Sequence, residues 1–282
     1  MIPLLKSTLT IMIPILFAAS AGLFPALAGS LNIALEGLLL IGAFTSLAVF
    51  YFTGSLPLAI IAAAAAGAAL SAVHVFASYK LKANNIIAGL AVNLFSAGLC
   101  AVLSNKIFNT RGVVSASYKT GSGLVFGFLL FSVLLLAVIW VVINKTSFGF
   151  RLRACDKNQE ALESLGIKPQ VYQIVSILFS GILCGIGGSF LSLNLGSFVP
   201  GMSAGKGWIA LVIIFLGSRK PQGILLAAFA FGLAEAFSNH AQGMWEIPAD
   251  LILAFPYFCT LIAMIIVSIA RGKLKSGLIR HQ

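Results

Sequence analysis

The sequence predicts an all-α fold: a polytopic transmembrane helical bundle of about nine to ten segments, one of them a broken helix, in a single domain over residues 1–282. Three observations point there. The 282 residues are 60% hydrophobic and 9% charged, with a mean hydropathy of +1.05, which excludes a soluble domain. Apolar runs recur along the chain, most of them long enough to cross a bilayer, with polar or Gly/Pro punctuation between them. Lysine and arginine gather in the short connections and the tail, as the positive-inside rule expects. That distribution accounts for the formal net charge of +11, so no nucleic-acid partner is inferred from it. The four cysteines, Cys100, Cys155, Cys184 and Cys259, lack CxxC spacing and indicate neither a disulfide framework nor a metal site.

The first apolar run, 8–28, follows Lys6 and passes Ala18, Ala19 and Ser20, a start that imitates a signal peptide. Its hydrophobicity continues past any such cleavage position, so it reads as an uncleaved first membrane segment. Residues 22–44, GLFPALAGSLNIALEGLLLIGAF, then organise the chain. Pro25 removes a backbone donor and Gly29 weakens the helix, which predicts an interruption near residues 30–32. Irregular backbone at membrane depth survives only against protein or a water-filled cavity. The pattern is that of a discontinuous helix lining a translocation path, with Asn32 and Glu36 on or near its polar side. An acidic side chain facing lipid would cost roughly 2.5–3.5 kcal/mol on the insertion scale. Glu36 must therefore reach a cavity or a partner, or else stay hydrated near the interface or cap the helix at Gly37.

Further segments fall at 36–53, 55–78, 86–105 and 124–143, and after a polar break at 171–195, 208–217, 222–238 and 249–270. The run 208–217 is too short to cross in the ordinary way, and such segments point to a substrate path. Residues 62–72, AAAAAGAALSA, suit close helix packing, within the bundle or across a subunit interface. Asn93 lies about two turns inside its segment, where it meets either a ligand or a neighbouring helix. Ser176, Ser180 and Ser189 suit close packing on the Gly-rich stretch 174–195, and Glu235 is expected near the outer end of its helix. Trp208 opens the short segment, as an interfacial anchor or as an aromatic surface on which a planar base could stack.

Charge sets the orientation. Lys80 and Lys82, the group Arg151, Arg153, Lys157 and Lys168, the pair Arg219 and Lys220, and the tail Arg271, Lys273, Lys275 and Arg280 are expected in the cytoplasm. Loops 106–123, 196–207 and 239–248 then face outward, although Lys106, Arg111 and Lys119 fit the first poorly. Counting back from Lys80 through three crossings puts the N-terminus outside; placing Lys6 inside requires an extra half-crossing in the 22–36 break.

The longest polar stretch, KTSFGFRLRACDKNQEALESLGIK, lies in a cytoplasmic loop at about 145–170, with a short helix expected over 158–165 and ended by Gly166. No phosphate-cradling loop accompanies it. Residues 201–207, GMSAGKG, have only three residues between the glycines and Gly207 where a magnesium-holding hydroxyl belongs, so the chain is not itself an ATPase.

Three stretches carry a resemblance. Residues 29–44 resemble the signature of permease subunits of bacterial ATP-binding cassette importers in the ribose, branched-chain amino acid and nucleoside superfamily. LNIALEG is most similar to the nucleoside-type, basic membrane protein-associated branch, and the sugar branch reads more like GGIDLSVG; residues 84–94 resemble that nucleoside branch's NExIxGLAVNL, with Asn85 in place of the frequent Glu. The polar loop resembles the coupling loop GxxLRAxGxNPxAAxxxGI at Gly149, Leu152, Arg153, Ala154, Asn158, Ala161, Gly166 and Ile167, with Asp156 and Gln159 where Gly and Pro are common. Residues 205–232 resemble GRGWIALAxxIxGxxxPxGxxxAAxxFG at Gly207, Trp208, Gly217, Pro221, Gly223 and Gly232.

The resemblance implies a type II importer-like permease in the bacterial cytoplasmic (inner) membrane, forming half of a dimeric pore for a nucleoside-like solute. It further implies ATPase subunits that carry the ATP and magnesium, a second and non-identical permease, and an extracytoplasmic solute-binding protein. Substrate-path residues are then Asn32, Glu36, Asn93 and Trp208, and ATPase coupling falls to Arg153, Asn158, Glu160, Ala161, Leu165 and Gly166. Riboflavin and a simple sugar follow nucleosides as expected cargo. A secondary transporter would want embedded partners for a coupling ion, for which only Glu36 offers itself.

Overall fold

The computed structural model describes residues 2–110, 112–116, 121–242 and, further on, residues 258, 259, 261, 262, 264 and 265. Most of the expected 249–270 segment, the basic tail, Arg111, Lys119 and most of the 239–248 loop lie outside the described residues. Among those described, seven helices are long and apolar enough to cross a membrane, joined by one shorter apolar helix.

Helix α1 is Ile2–Leu27, α2 Leu35–Thr53, α3 Leu56–Val75, α4 Asn85–Phe108 and α5 Ser122–Lys145. Two short helices follow, α6 Ser147–Lys157 and α7 Gln159–Ser164, then α8 Pro169–Leu195, α9 Lys206–Leu216 and α10 Pro221–Ala241. Local chemistry sets many of the ends. Asn84 caps α4 by accepting the Ile86 and Ile87 amides, Thr146 caps α6, Asn158 caps α7, and prolines open α8 and α10. Gly54 closes α2 in the left-handed conformation, its amide bonded to the Phe50 carbonyl. A wider π turn, Phe76–Lys80, extends α3.

The interruption falls where the sequence suggests: α1 runs through Pro25, and the unwound stretch, 28–34, brackets residues 30–32. Pro25 lies in the last turn, where a missing donor forfeits a single bond, and its carbonyl accepts the Ser30 amide at 2.9 Å to close the helix. The polar loop is more helical than expected, because Thr146 starts α6 ahead of the α7 knob.

Helices α1, α2 and α8 form the interior, with 83%, 67% and 67% of their most apolar windows buried, against 28% for α3, α4 and α5. The outer faces of α3, α4 and α5 carry exposed Ile61, Leu94, Phe95, Phe126 and Leu134, as a lipid-facing or subunit-facing surface should. Small residues let the interior close. A Cβ on Gly185 would overlap the Ala63 carbonyl, and one on Gly188 the Leu39 carbonyl. The Ala-rich stretch of α3 is therefore used within the bundle.

Contacts fix the sidedness. Asp156 of α6 pairs with Arg219, the Tyr79 hydroxyl donates to Gln173, and Gln173 donates to the Ala28 carbonyl, which gathers the basic loops and the knob at one end. At the other end β1, Val114–Ser115, pairs antiparallel with β2, Ser197–Phe198, joining two of the loops expected outside. Phe24 packs on Phe179 and Phe17 lies against Gly187, so α1 runs antiparallel to α8 and starts at the end opposite the knob.

Candidate translocation site

Where backbone leaves helical geometry inside a membrane, side chains must supply its hydrogen bonds. One face of α4 does so for the unwound stretch. Asn85 Nδ2 donates to the Leu31 carbonyl at 2.7 Å, and Asn93 Nδ2 donates to the Ile33 carbonyl at 2.9 Å. Asn93 Oδ1 accepts the Gly37 amide at 2.8 Å, and Ser96 Oγ donates to the Gly37 carbonyl at 2.7 Å. Between them Gly89 leaves room for Ile33 and Ala34, since a Cβ there would sit 3.2 Å from both. Asn85, Gly89, Asn93 and Ser96 recur at helical spacing, so the NNIIAGLAVNL wording is a clamp for the break.

Asn32 is fully buried. Its Nδ2 donates to Ser180 Oγ at 2.9 Å and its Oδ1 accepts the Ala34 amide at 3.0 Å, an Asx turn that starts α2. Ser180 lies eleven residues after Pro169, about 16 Å along α8 at 1.5 Å per residue. Helix α2 therefore begins well inside the bundle and runs in the same direction as α8, Ser46 reaching Ser192, whereas α1 runs against it. The break joins two spans rather than interrupting a single helix as the sequence suggested.

A short helix starts at the same level. After β2 the chain descends through turns with positive φ at Gly201, Ala204 and Gly205, and α9 starts beside Glu36. Glu36 Oε1 accepts the Gly205 amide at 2.8 Å and Oε2 accepts the Gly207 amide at 2.7 Å. Glu36 also lies in the first turn of α2. One half-buried carboxylate thus satisfies orphan donors of α9 and sits at the positive ends of two helix dipoles. Gly207 is obligatory for the approach, because a Cβ would lie 2.6 Å from Glu36 Cα.

Lys206 and Glu235 were not legible as a pair. Lys206 Nζ lies 3.9 Å from Glu235 Oε1, with side-chain exposures of 15% and 23%. Glu235 is fourteen residues beyond Pro221, about 21 Å along α10, and so lies in the outer third of the helix, as expected. Two ionisable residues in neighbouring apolar segments were the available signal. Trp208, one residue past the junction, is 43% exposed on the surface of this single chain.

The structure thus brings Glu36, Asn93 and Trp208 to one level beside the break, with Asn32 enclosed behind them. The second group lies at the knob end, beyond the turn where Arg219 meets Asp156. Asn158 Oδ1 accepts the Ala161 amide at 3.0 Å, Glu160 and Ala161 are exposed on α7, and Gly166 turns the chain at φ 75°. Leu165 is 74% exposed at the tip, and the Arg153 guanidinium lies 5.0 Å from the Phe150 ring centroid. Beneath the knob Cys155 is buried, which raises its thiol pKa above the ordinary value.

A sequence family described as the branched-chain amino acid transport system permease component matches residues 4–268. The chain belongs to this permease family. The permease is 32% identical over 281 residues to the nucleoside ABC transporter permease protein NupC of Lactococcus lactis subsp. cremoris, covering 89% of this chain and 87% of that protein. It is 30% identical over 288 residues to the guanosine ABC transporter permease protein NupQ of Bacillus subtilis, covering 93% and 90%. Among solved structures, the permease superposes on PsaBC from Streptococcus pneumoniae in complex with Fab with a TM-score of 0.59, at 11% identity over 92% of this chain and 89% of that one. That likeness speaks to the fold alone. The expected all-helical, multi-pass permease architecture is borne out.

Proposed function

We propose that this permease forms half of the pore of an ATP-binding cassette importer for nucleosides in a bacterial cytoplasmic membrane. The observation that carries the reading is near-full-length similarity to a nucleoside and a guanosine permease, at 32% and 30% identity. The geometry supports it physically: the short helix α9 starts beside the break at mid-depth, and the half-buried Glu36 carboxylate between them needs protein or water rather than lipid. A second permease, non-identical by this reading, completes the cavity. Glu36, Asn93 and Trp208 border the route, with Asn32 holding its wall. Trp208 offers the planar surface on which a base stacks.

ATP hydrolysis belongs to separate ATPase subunits, which hold the ATP and magnesium. The α6–α7 knob docks on them through Asn158, Glu160, Ala161, Leu165 and Gly166, with Arg153 bracing it from α6. An exposed Leu165 beside polar neighbours is the kind of apolar anchor that a partner groove covers. A solute-binding protein delivers the cargo to the loops carrying β1 and β2. Residues 1–282 act as one domain.

Uptake by cells lacking this chain tests the reading. Loss of labelled nucleoside uptake, restored by the intact gene and abolished by ATP depletion, is expected. Normal nucleoside uptake with loss of riboflavin or sugar uptake would overturn the cargo, and uptake sensitive only to ionophores would overturn the energy source.

A further inference from the structure

We infer that Asp156 is a mechanical joint, coupling α6 at once to the base of α9 and to the unwound α1–α2 stretch. The inference rests on the reading of α6–α7 as the ATPase contact and names the residues that would carry motion away from it.

Asp156 touches both moving parts. Its Oδ2 accepts from Arg219 Nη1 at 2.8 Å. Its backbone and Oδ1 lie against Gly29 of the unwound stretch, where a Cβ would come within 3.1 Å of Asp156 Cα and 3.2 Å of Oδ1. Gly29 has φ 74°, so a side chain would be unfavourable on both counts. No bulk separates α6 from the break.

Arg219 is held firmly. Ser218 and Arg219 both adopt left-handed backbone, φ 61° and 55°, which is uncommon for residues other than glycine and persists only where surroundings enforce it. The Arg219 amide donates to the Ile214 carbonyl at 2.9 Å, and its guanidinium lies 5.5 Å from the Phe215 ring centroid. At the same turn Gly217 and Gly223 bring the end of α9 and the start of α10 into backbone contact. At the far end Lys206 pairs with Glu235. Helix α9 is thus tied to α10 at both of its ends.

The contacts close into a ring. From Asp156 the path runs through Arg219 along α9 to the Gly205 and Gly207 amides, across to Glu36, back through the start of α2 and the clamped break to Gly29, and so to Asp156. Displacing α6 within such a ring cannot move α9 without moving the break. Beside the joint an open cavity of about 460 Å³, lined in part by Arg153, Asp156, Lys157 and Arg219, leaves α6 room to shift. The pair is a third exposed and contributes little to stability, which suits a contact that works in motion.

The test uses the whole transporter, with its ATPase, permease and binding-protein subunits, in proteoliposomes. Asp156→Arg and Arg219→Asp are compared singly and together, with Asp156→Glu as the conservative variant, reading ATPase co-purification, ATP hydrolysis and solute moved per ATP. Each single charge reversal is expected to keep ATPase association and hydrolysis within twofold while solute moved per ATP falls about tenfold. The double reversal and Asp156→Glu should recover at least half of it. Unchanged solute per ATP in the singles, or no recovery in the double, would overturn the joint. Loss of ATPase association in the Asp156 variants would also overturn it, since the residue would then act by docking. Leu165→Glu separates the underlying reading: if that variant still binds the ATPase and transports normally, the knob is not the contact, whatever the Asp156 variants do.

Discussion

Replacing Glu36 isolates the junction between α2 and the short helix α9. In the folded permease its carboxylate accepts two backbone amides, Gly205 at 2.8 Å and Gly207 at 2.7 Å. Hydrogen bonds to a charged acceptor contribute about 1.5–3 kcal/mol each, or roughly 3–6 kcal/mol for the two. Because Glu36 is only half-buried, water takes over part of this in Glu36→Ala, and the lower end, about 3 kcal/mol, is expected. Glu36→Gln keeps one acceptor oxygen but turns an NH2 group toward the other amide, so about half of that loss, near 1.5 kcal/mol, is expected. At roughly 2–4 °C per kcal/mol, thermal melting in detergent should fall by about 6–12 °C for Ala and 3–6 °C for Gln. Hydrogen exchange should quicken at the Gly205 and Gly207 amides specifically. Melting within 1 °C of wild type for both variants, with unchanged exchange at those amides, would refute the claim that Glu36 holds α9.

Asn93→Leu leaves the Ile33 carbonyl and the Gly37 amide without their partner, and at ~1–3 kcal/mol for each unsatisfied group a loss of about 2–6 kcal/mol is expected by the same melting assay. Gly185→Leu should abolish folded protein in size-exclusion chromatography, because even a Cβ would overlap Ala63, whereas Gly127→Ala, with nothing within 4 Å, should behave as wild type. Burial raises the Cys155 pKa, so its reactive thiolate is scarcer at a given pH than that of an ordinary thiol. Maleimide modification of Cys155 should therefore be slow at pH 7–8 and still rise above pH 9, as followed by intact-protein mass spectrometry.

Much of the fold was legible because hydrophobic run length and punctuation have a direct physical meaning in a membrane. Gly54 and Gly196, at the ends of α2 and α8, fall where the apolar runs stop. Asn84 and Asn158 mark caps of the kind their short polar side chains make. The break was legible too, through Pro25 and Gly29, and so was its placement around residues 30–32; that it joins two full spans was not, since a proline in a last turn costs one bond and leaves α1 long enough to cross. The polar residues around it were harder to assign. Asn93 was equally a ligand donor or a helix tie from spacing alone, and only the partner atoms, Ile33 and Gly37, distinguish what it bonds within the chain. Glu36 finds its partners 169 and 171 residues away, a contact that no local pattern encodes. The Lys206–Glu235 pair and the Asp156–Arg219 pair share that character: each links elements whose proximity depends on where α9 turns back.

The account is tested most directly at Trp208, beside the junction where the nucleoside is taken to pass. In the assembled transporter, with Cys259→Ser to remove a background thiol, Trp208→Cys is modified with a membrane-impermeant methanethiosulfonate reagent while labelled nucleoside uptake is followed. The account predicts that modification blocks uptake and that transported nucleoside, but not riboflavin or glucose, slows the modification. Complete modification with undiminished uptake and no protection by nucleoside would contradict it.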